Sequence, residues 1–166
     1  MSWCRSTNFD RATVIAEALS PLLKSPGKRV AGRNGLSMAQ KILIVEDNSD
    51  LSELLTFYLS DAGYEISRAG SLVLGISKAL AEQPNLIIID LYLPDMNVVD
   101  ATVILKQDLA TAAIPIVVLT SMTVGDRKTK ALKAGVAKYL IKPISPPELT
   151  EVVRKLIQPP SSLKEM

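Results

Sequence analysis

The sequence predicts an α/β fold: a doubly wound, five-stranded parallel sheet with helices on both faces. Two observations predict it. The apolar runs 42–45, 86–89 and 116–119 show no polar alternation, which marks strands buried on both sides beneath helices. Capped amphipathic stretches separate these runs, and each strand-plus-helix unit is near 25 residues long, as in a chain of βα repeats.

In chain order, residues 41–45 read as the first strand. Glu46-Asp47-Asn48 follow, and Asp50 with Glu53 forms a capping box for a helix carrying Leu51, Leu54, Leu55, Tyr58 and Leu59, closed by Gly63. Residues 64–69 fit a short second strand. Ser71 caps a helix with Leu72, Leu74, Ile76 and Leu80, which Pro84 ends. The central strand 86–89 ends on Asp90. A third helix begins at Asn97 or Val98 and runs to about Leu109; the fourth strand, 116–119, ends on Thr120-Ser121; the helix 126–134 stops at Gly135. Residues 138–141 form the fifth strand and lead into Lys142-Pro143. Ser145, Pro146 and Glu148 then supply an N-cap, an N1 proline and an N3 glutamate for a last helix through Ile157. For a small sheet of this kind the flavodoxin-like order 2-1-3-4-5 is the usual solution.

With 166 residues, 48% of them apolar, the chain accommodates one domain with a proper core plus tails. Residues 1–37 carry six Lys/Arg against two Asp/Glu and read as an extension, disordered or partly helical; residues 38–158 form the domain and 159–166 a short tail. From Met38 onward thirteen basic residues face fifteen acidic ones, so the domain makes no electrostatic case for nucleic acid, and direct DNA binding is not expected. The single cysteine, Cys4, has no internal disulfide partner, and the absence of histidine removes the usual general base and metal ligand. No apolar run reaches the roughly 18 residues of a membrane span, so no membrane insertion and a cytoplasmic location are expected.

Chemistry therefore falls to carboxylates, hydroxyls and lysines. In open parallel sheets it collects at the carboxyl ends of the strands. The order 2-1-3-4-5 brings Glu46 and Asp47 beside Asp90, with Thr120 and Lys142 arriving from strands four and five. Each has an ordinary alternative as a helix-entry acid, a loop hydroxyl or a solvated charge. Their coincidence at the ends of four strands is less ordinary. Three clustered carboxylates call for a cation, and an all-oxygen set favours Mg²⁺. Phosphoryl chemistry follows, with Asp90 as nucleophile, Lys142 offsetting phosphoryl charge and the Thr120 hydroxyl donating to a phosphoryl oxygen.

The segments Val45-Glu46-Asp47-Asn48, Asp90-Leu91-Tyr92-Leu93-Pro94-Asp95-Met96, Leu119-Thr120-Ser121 and Tyr139-Leu140-Ile141-Lys142-Pro143-Ile144, taken together and in order, resemble a bacterial response-regulator receiver domain across residues 40–158. The resemblance implies a Mg²⁺ site of Glu46, Asp47, Asp90 and the Tyr92 backbone carbonyl. It implies Asp90 as the residue phosphorylated by a sensor histidine kinase or histidine phosphotransfer protein, Thr120 as the switch hydroxyl, Tyr139 as the aromatic that turns inward on activation, and Lys142 as the phosphate contact before a cis proline. The family usually has glycine where this chain has Val98, and a different loop shape after Asp90 is the expected consequence.

Only 23 residues follow Lys142-Pro143, and the expectation is a stand-alone receiver that is not an enzyme in its own right. It would signal by docking a downstream protein through the fourth helix, fifth strand and fifth helix, where Arg127, Lys128, Lys130, Lys133 and Lys138 gather. Two alternatives come from other classes. A Mg²⁺-dependent phosphatase of the haloacid-dehalogenase type shares the aspartate nucleophile but needs a second aspartate two residues on, where this chain has Tyr92. A flavodoxin-like nucleotide or flavin binder needs glycines in the first strand-to-helix turn, which is Glu46-Asp47-Asn48-Ser49.

Overall fold

A computed structural model describes residues 39–121 and 125–157, with the side chains of 125–127 left aside. The chain divides into two units, Met1–Gly32 and Arg33–Met166. The expected amino-terminal extension and carboxyl-terminal tail lie outside the described residues, as does Met122.

The described residues form β1 (Lys41–Val45), α1 (Ser49–Asp61), β2 (Glu65–Ala69), α2 (Leu72–Glu82), β3 (Leu86–Asp90), α3 (Val98–Gln107), β4 (Ile116–Thr120), α4 (Gly125–Ala134), β5 (Lys138–Ile141) and α5 (Pro146–Leu156). All strand pairs are parallel and their order is β2-β1-β3-β4-β5. This is the doubly wound, flavodoxin-like arrangement that the apolar runs predict.

The unbroken runs are buried because helices cover both faces. Every residue of β3 and β4 is buried. On one face Ile42, Ile44, Ile88, Val117 and Leu119 meet Leu55 and Leu59 of α1 and Leu149 and Val153 of α5. On the other, Gly75 of α2 packs against Val45, with α3 beside α2 and α4 beside α3. A fully buried Ile or Leu is worth about 1.5–3 kcal/mol over its exposed state, so these central strands hold the site's frame rigid. No helix among the described residues is long and apolar enough to cross a membrane.

Helix ends differ from expectation at the start of α1 and at the end of α3, which stops at Gln107 with Asp108 extended rather than running to about Leu109. The cap of α1 is Asn48, whose Oδ1 accepts from the Leu51 N–H at 3.0 Å, while Asp50 sits in the first turn. Asparagine is the better-placed cap because the chain leaves β1 in extended conformation and Asn48 keeps it, and Asp50 then favours the positive helix end without capping it. Ser71 and Ser145 cap α2 and α5. Helix α2 ends at Gln83 in left-handed conformation, one residue before Pro84, whose ring disfavours helical geometry there.

Candidate functional site

The register of the sheet assembles the site. Val45 pairs with Ile89, so the next residues, Glu46 and Asp90, lie side by side where β1 and β3 end. Asp90 pairs with Leu119 and Thr120 with Ile141, which places Thr120 and then Lys142 at the same edge. The Lys142 N–H donates to the Thr120 carbonyl at 2.6 Å, extending the ladder one residue and turning the lysine over the strand ends.

The Lys142 ammonium lies between two carboxylates. It donates to Asp90 Oδ2 and approaches Glu46 Oε2 at 3.4 Å. Asp90 Oδ1 accepts from the Tyr92 N–H at 2.7 Å, and Glu46 Oε1 accepts from the Asn48 N–H at 3.0 Å. The carboxylate side chains are 3% exposed at Glu46 and 9% at Asp90, against 23% at Lys142. Water therefore screens this triad little, and its charges must be settled internally.

The two acids settle oppositely. Burial raises the Glu46 carboxyl to about 7, helped by the adjoining Asp90 and opposed by the Asn48 N–H and Lys142. Burial pushes Asp90 upward as well, but hydrogen bonds from Lys142, the Tyr92 N–H and Glu46 outweigh it and hold Asp90 below the usual carboxylate range. Near neutrality the retained proton belongs with Glu46. Asp90 stays ionised, the form in which a carboxylate oxygen is nucleophilic.

Residues 42–154 match the response regulator receiver domain. The chain belongs to this family. It is similar to the DNA-binding response regulator MtrA of Mycobacterium tuberculosis, with 34% identity over 118 residues that cover 71% of this chain and 50% of the relative. The transcriptional regulatory protein CusR of Escherichia coli is 36% identical over 118 residues, covering 71% and 51%. The chain thus spans about half the length of the curated relatives it matches. Among solved structures, a response regulator receiver domain protein from Methanospirillum hungatei superposes with a TM-score of 0.68 at 27% identity, covering 72% of this chain and 94% of that one. The receiver domain of a sensor histidine kinase from Pseudomonas aeruginosa, solved with magnesium coordinated in its active-site cleft, gives 0.67 at 26% identity, covering 72% and 98%.

In this receiver domain the remaining expected residues are placed as follows. Thr120 is fully buried at the end of β4. Tyr139 is buried on β5. The Lys142-Pro143 peptide is cis. Asp47 is exposed directly after Glu46, and among the described residues no three Asp, Glu, His or Cys side chains are disposed to hold a metal. The donor chemistry of the buried pair nonetheless fits a hard cation, since Glu46 and Asp90 offer only oxygens and their mutual repulsion is what a cation relieves.

Val98 replaces the usual glycine without a special backbone. It occupies the first helical position of α3, after the extended cap Asn97, and its side chain is 1% exposed. Glycine's left-handed freedom is not called on there; the only non-glycine positive φ among the described residues is at Gln83. One contact has no signature in the sequence: the Asp95 carboxylate accepts hydrogen bonds from the Leu72 and Val73 N–H groups. Its partners lie more than twenty residues away, beyond any local pattern.

Proposed function

We propose that this receiver domain is the phosphoacceptor of a two-component relay, with Asp90 taking a phosphoryl group in a Mg²⁺-dependent reaction. The observation that carries the reading is the ionised, buried Asp90 at the end of the central strand, paired to Lys142 and flanked by Glu46. In the reaction an Asp90 carboxylate oxygen attacks phosphorus while the bond to the donor's leaving group breaks, that group being the imidazole nitrogen of a phosphohistidine or the acetate of acetyl phosphate. Glu46, Asp47, Asp90 and the Tyr92 carbonyl would hold Mg²⁺, which supplies charge neutralisation for the phosphoryl oxygens. Lys142 would move from the Asp90 carboxylate to a phosphoryl oxygen, and the Thr120 hydroxyl would donate to another.

The donor is a sensor histidine kinase or a histidine phosphotransfer protein, and the domain works in the cytoplasm. The signal leaves through α4, β5 and α5, where Lys128, Lys130, Lys133 and Lys138 are exposed beside Leu132 and Ile141. This mixed basic and apolar surface fits a protein partner presenting acids. The relatives' names include DNA binding, which belongs to proteins about twice the matched length; the receiver domain itself acts here through protein docking, without enzymatic turnover of its own.

Incubation with Mg²⁺ and acetyl phosphate tests the reading. One acid-labile phosphoryl group per chain is expected, absent in Asp90→Asn, whose circular dichroism matches the wild type. Stoichiometric labelling of Asp90→Asn, or steady hydrolysis of many phosphate esters, overturns it, the latter in favour of a phosphatase.

A further inference from the structure

We propose that Asp95 is a positioning residue of the phosphoacceptor site, clasping the loop after Asp90 to the amino terminus of α2; the proposal rests on the phosphoacceptor reading above. Asp95 Oδ1 accepts from the Leu72 N–H at 3.1 Å and Oδ2 from the Val73 N–H at 2.9 Å. Ser71 Oγ takes the next donor, the Leu74 N–H, at 3.2 Å. Two of the first three N–H groups of α2 are thus satisfied by a residue of a different loop. Each bond is charge-assisted and sits at the positive end of the helix. Because two oxygens meet two consecutive N–H groups, the clasp fixes the loop's orientation as well as its distance.

On its far side the clasp reaches the Glu46 strand. Gly75 of α2 approaches Val45 so closely that an added Cβ would lie 2.7 Å from Val45 Cγ2. The Glu46 N–H donates to the Ala69 carbonyl at 2.9 Å. Val45, Glu46, Ala69 and the start of α2 therefore move as one block.

On its near side, Asp95 is three residues from Tyr92, whose N–H donates to Asp90 Oδ1. Among the described backbone hydrogen bonds none begins or ends on residues 93–96. The loop's path there is set by the buried Leu93 and by the Asp95 clasp. The clasp thereby spans the acidic pocket, tying the Tyr92 side to the Glu46 side and setting the gap in which a phosphoryl group is received.

A helix cap with no bearing on the site would give the same contacts, and Ser71→Ala separates the two roles because it removes a cap from the same helix without touching the loop. The full chain is assayed for amide hydrogen exchange without metal, and for phosphorylation rate against acetyl phosphate concentration with Mg²⁺. In Asp95→Ala, exchange of the hydrogen-bonded Leu91 and Tyr92 amides speeds by roughly tenfold, and the rate at saturating acetyl phosphate falls by about tenfold, as expected when a reacting group is misplaced. Asp95→Asn, which keeps one carbonyl oxygen, gives intermediate values. Ser71→Ala lowers thermal stability but leaves both readouts within about twofold of wild type. Equal slowing in Ser71→Ala and Asp95→Ala, or unchanged exchange in Asp95→Ala, overturns the proposal. If wild-type protein takes no phosphoryl group, the phosphoacceptor reading fails, while the exchange measurement still decides the clasp.

Discussion

Metal-free protein should lose stability as pH rises through neutrality, and the source is one buried carboxyl. The Glu46 pKa is raised from 4.5 to about 7, so the folded chain binds its proton more tightly than the unfolded chain does. Its contribution is fully present below pH 4.5 and is lost as pH rises through 7. Asp90 has the opposite sign: its lowered pKa contributes stability above 3.8 that disappears only in stronger acid, outside this window. The chain has no histidine, so no side chain of ordinary pKa titrates between pH 5.5 and pH 8 to blur the effect. Linkage then gives a loss of about 2 kcal/mol between those two pH values, a large share of a typical domain's 5–15 kcal/mol. Urea denaturation in chelator, at half-unit pH steps, measures it. The wild-type midpoint should fall with an unchanged m value, and Glu46→Gln, which keeps the shape and cannot ionise, should be flat across the window. A flat wild-type profile, or the same slope in Glu46→Gln, refutes the assignment of the proton to Glu46.

Lys142→Met leaves Glu46 and Asp90 without their shared ammonium, so at pH 8 it should destabilise the metal-free protein by about 3 kcal/mol, with a smaller loss at pH 5.5 where Glu46 is protonated; equal losses at both pH values would sink this account. Once phosphorylated, the protein should lose its phosphoryl group slowly, because the sequence puts a phenol at Tyr92, two residues after Asp90, and a thioether at Met122, two residues after Thr120, where polar side chains could position the attacking water. Tyr92→Phe should change little and Tyr92→Asn combined with Met122→Glu should accelerate the loss; a wild-type half-life of seconds contradicts the occlusion. Reversing the charge of Lys128 and Lys133, both exposed on α4, should weaken the downstream partner severalfold at low salt and less at high salt, and unchanged affinity at low salt would mark those lysines as merely solvated.

The sheet, and the edge where chemistry gathers, can be read from the residue pattern alone. Runs such as 86–89 have no polar alternation, and only a doubly covered strand can bury them; caps at Ser71 and Ser145 and the turn at Gly135 are local and were legible for the same reason. Once the strand order is fixed, Glu46, Asp90, Thr120 and Lys142 converge because parallel strands all end on one side. How those groups are buried and charged depends on the folded packing. Glu46 and Asp47 are adjacent acids in the sequence, yet the first is held in the ladder and buried while the second is exposed. Which carboxyl keeps a proton depends on burial summed over both faces and on where one lysine lands, quantities that no window of sequence contains. Lys106 shows the same dependence: its ammonium bonds the carbonyls of Ala112 and Ile114, and burial lowers its pKa. Asp95 shows it most plainly, for a loop aspartate beside a proline reads as turn chemistry, and only the packing of α2 against Val45 brings it the two N–H groups that make it a clasp.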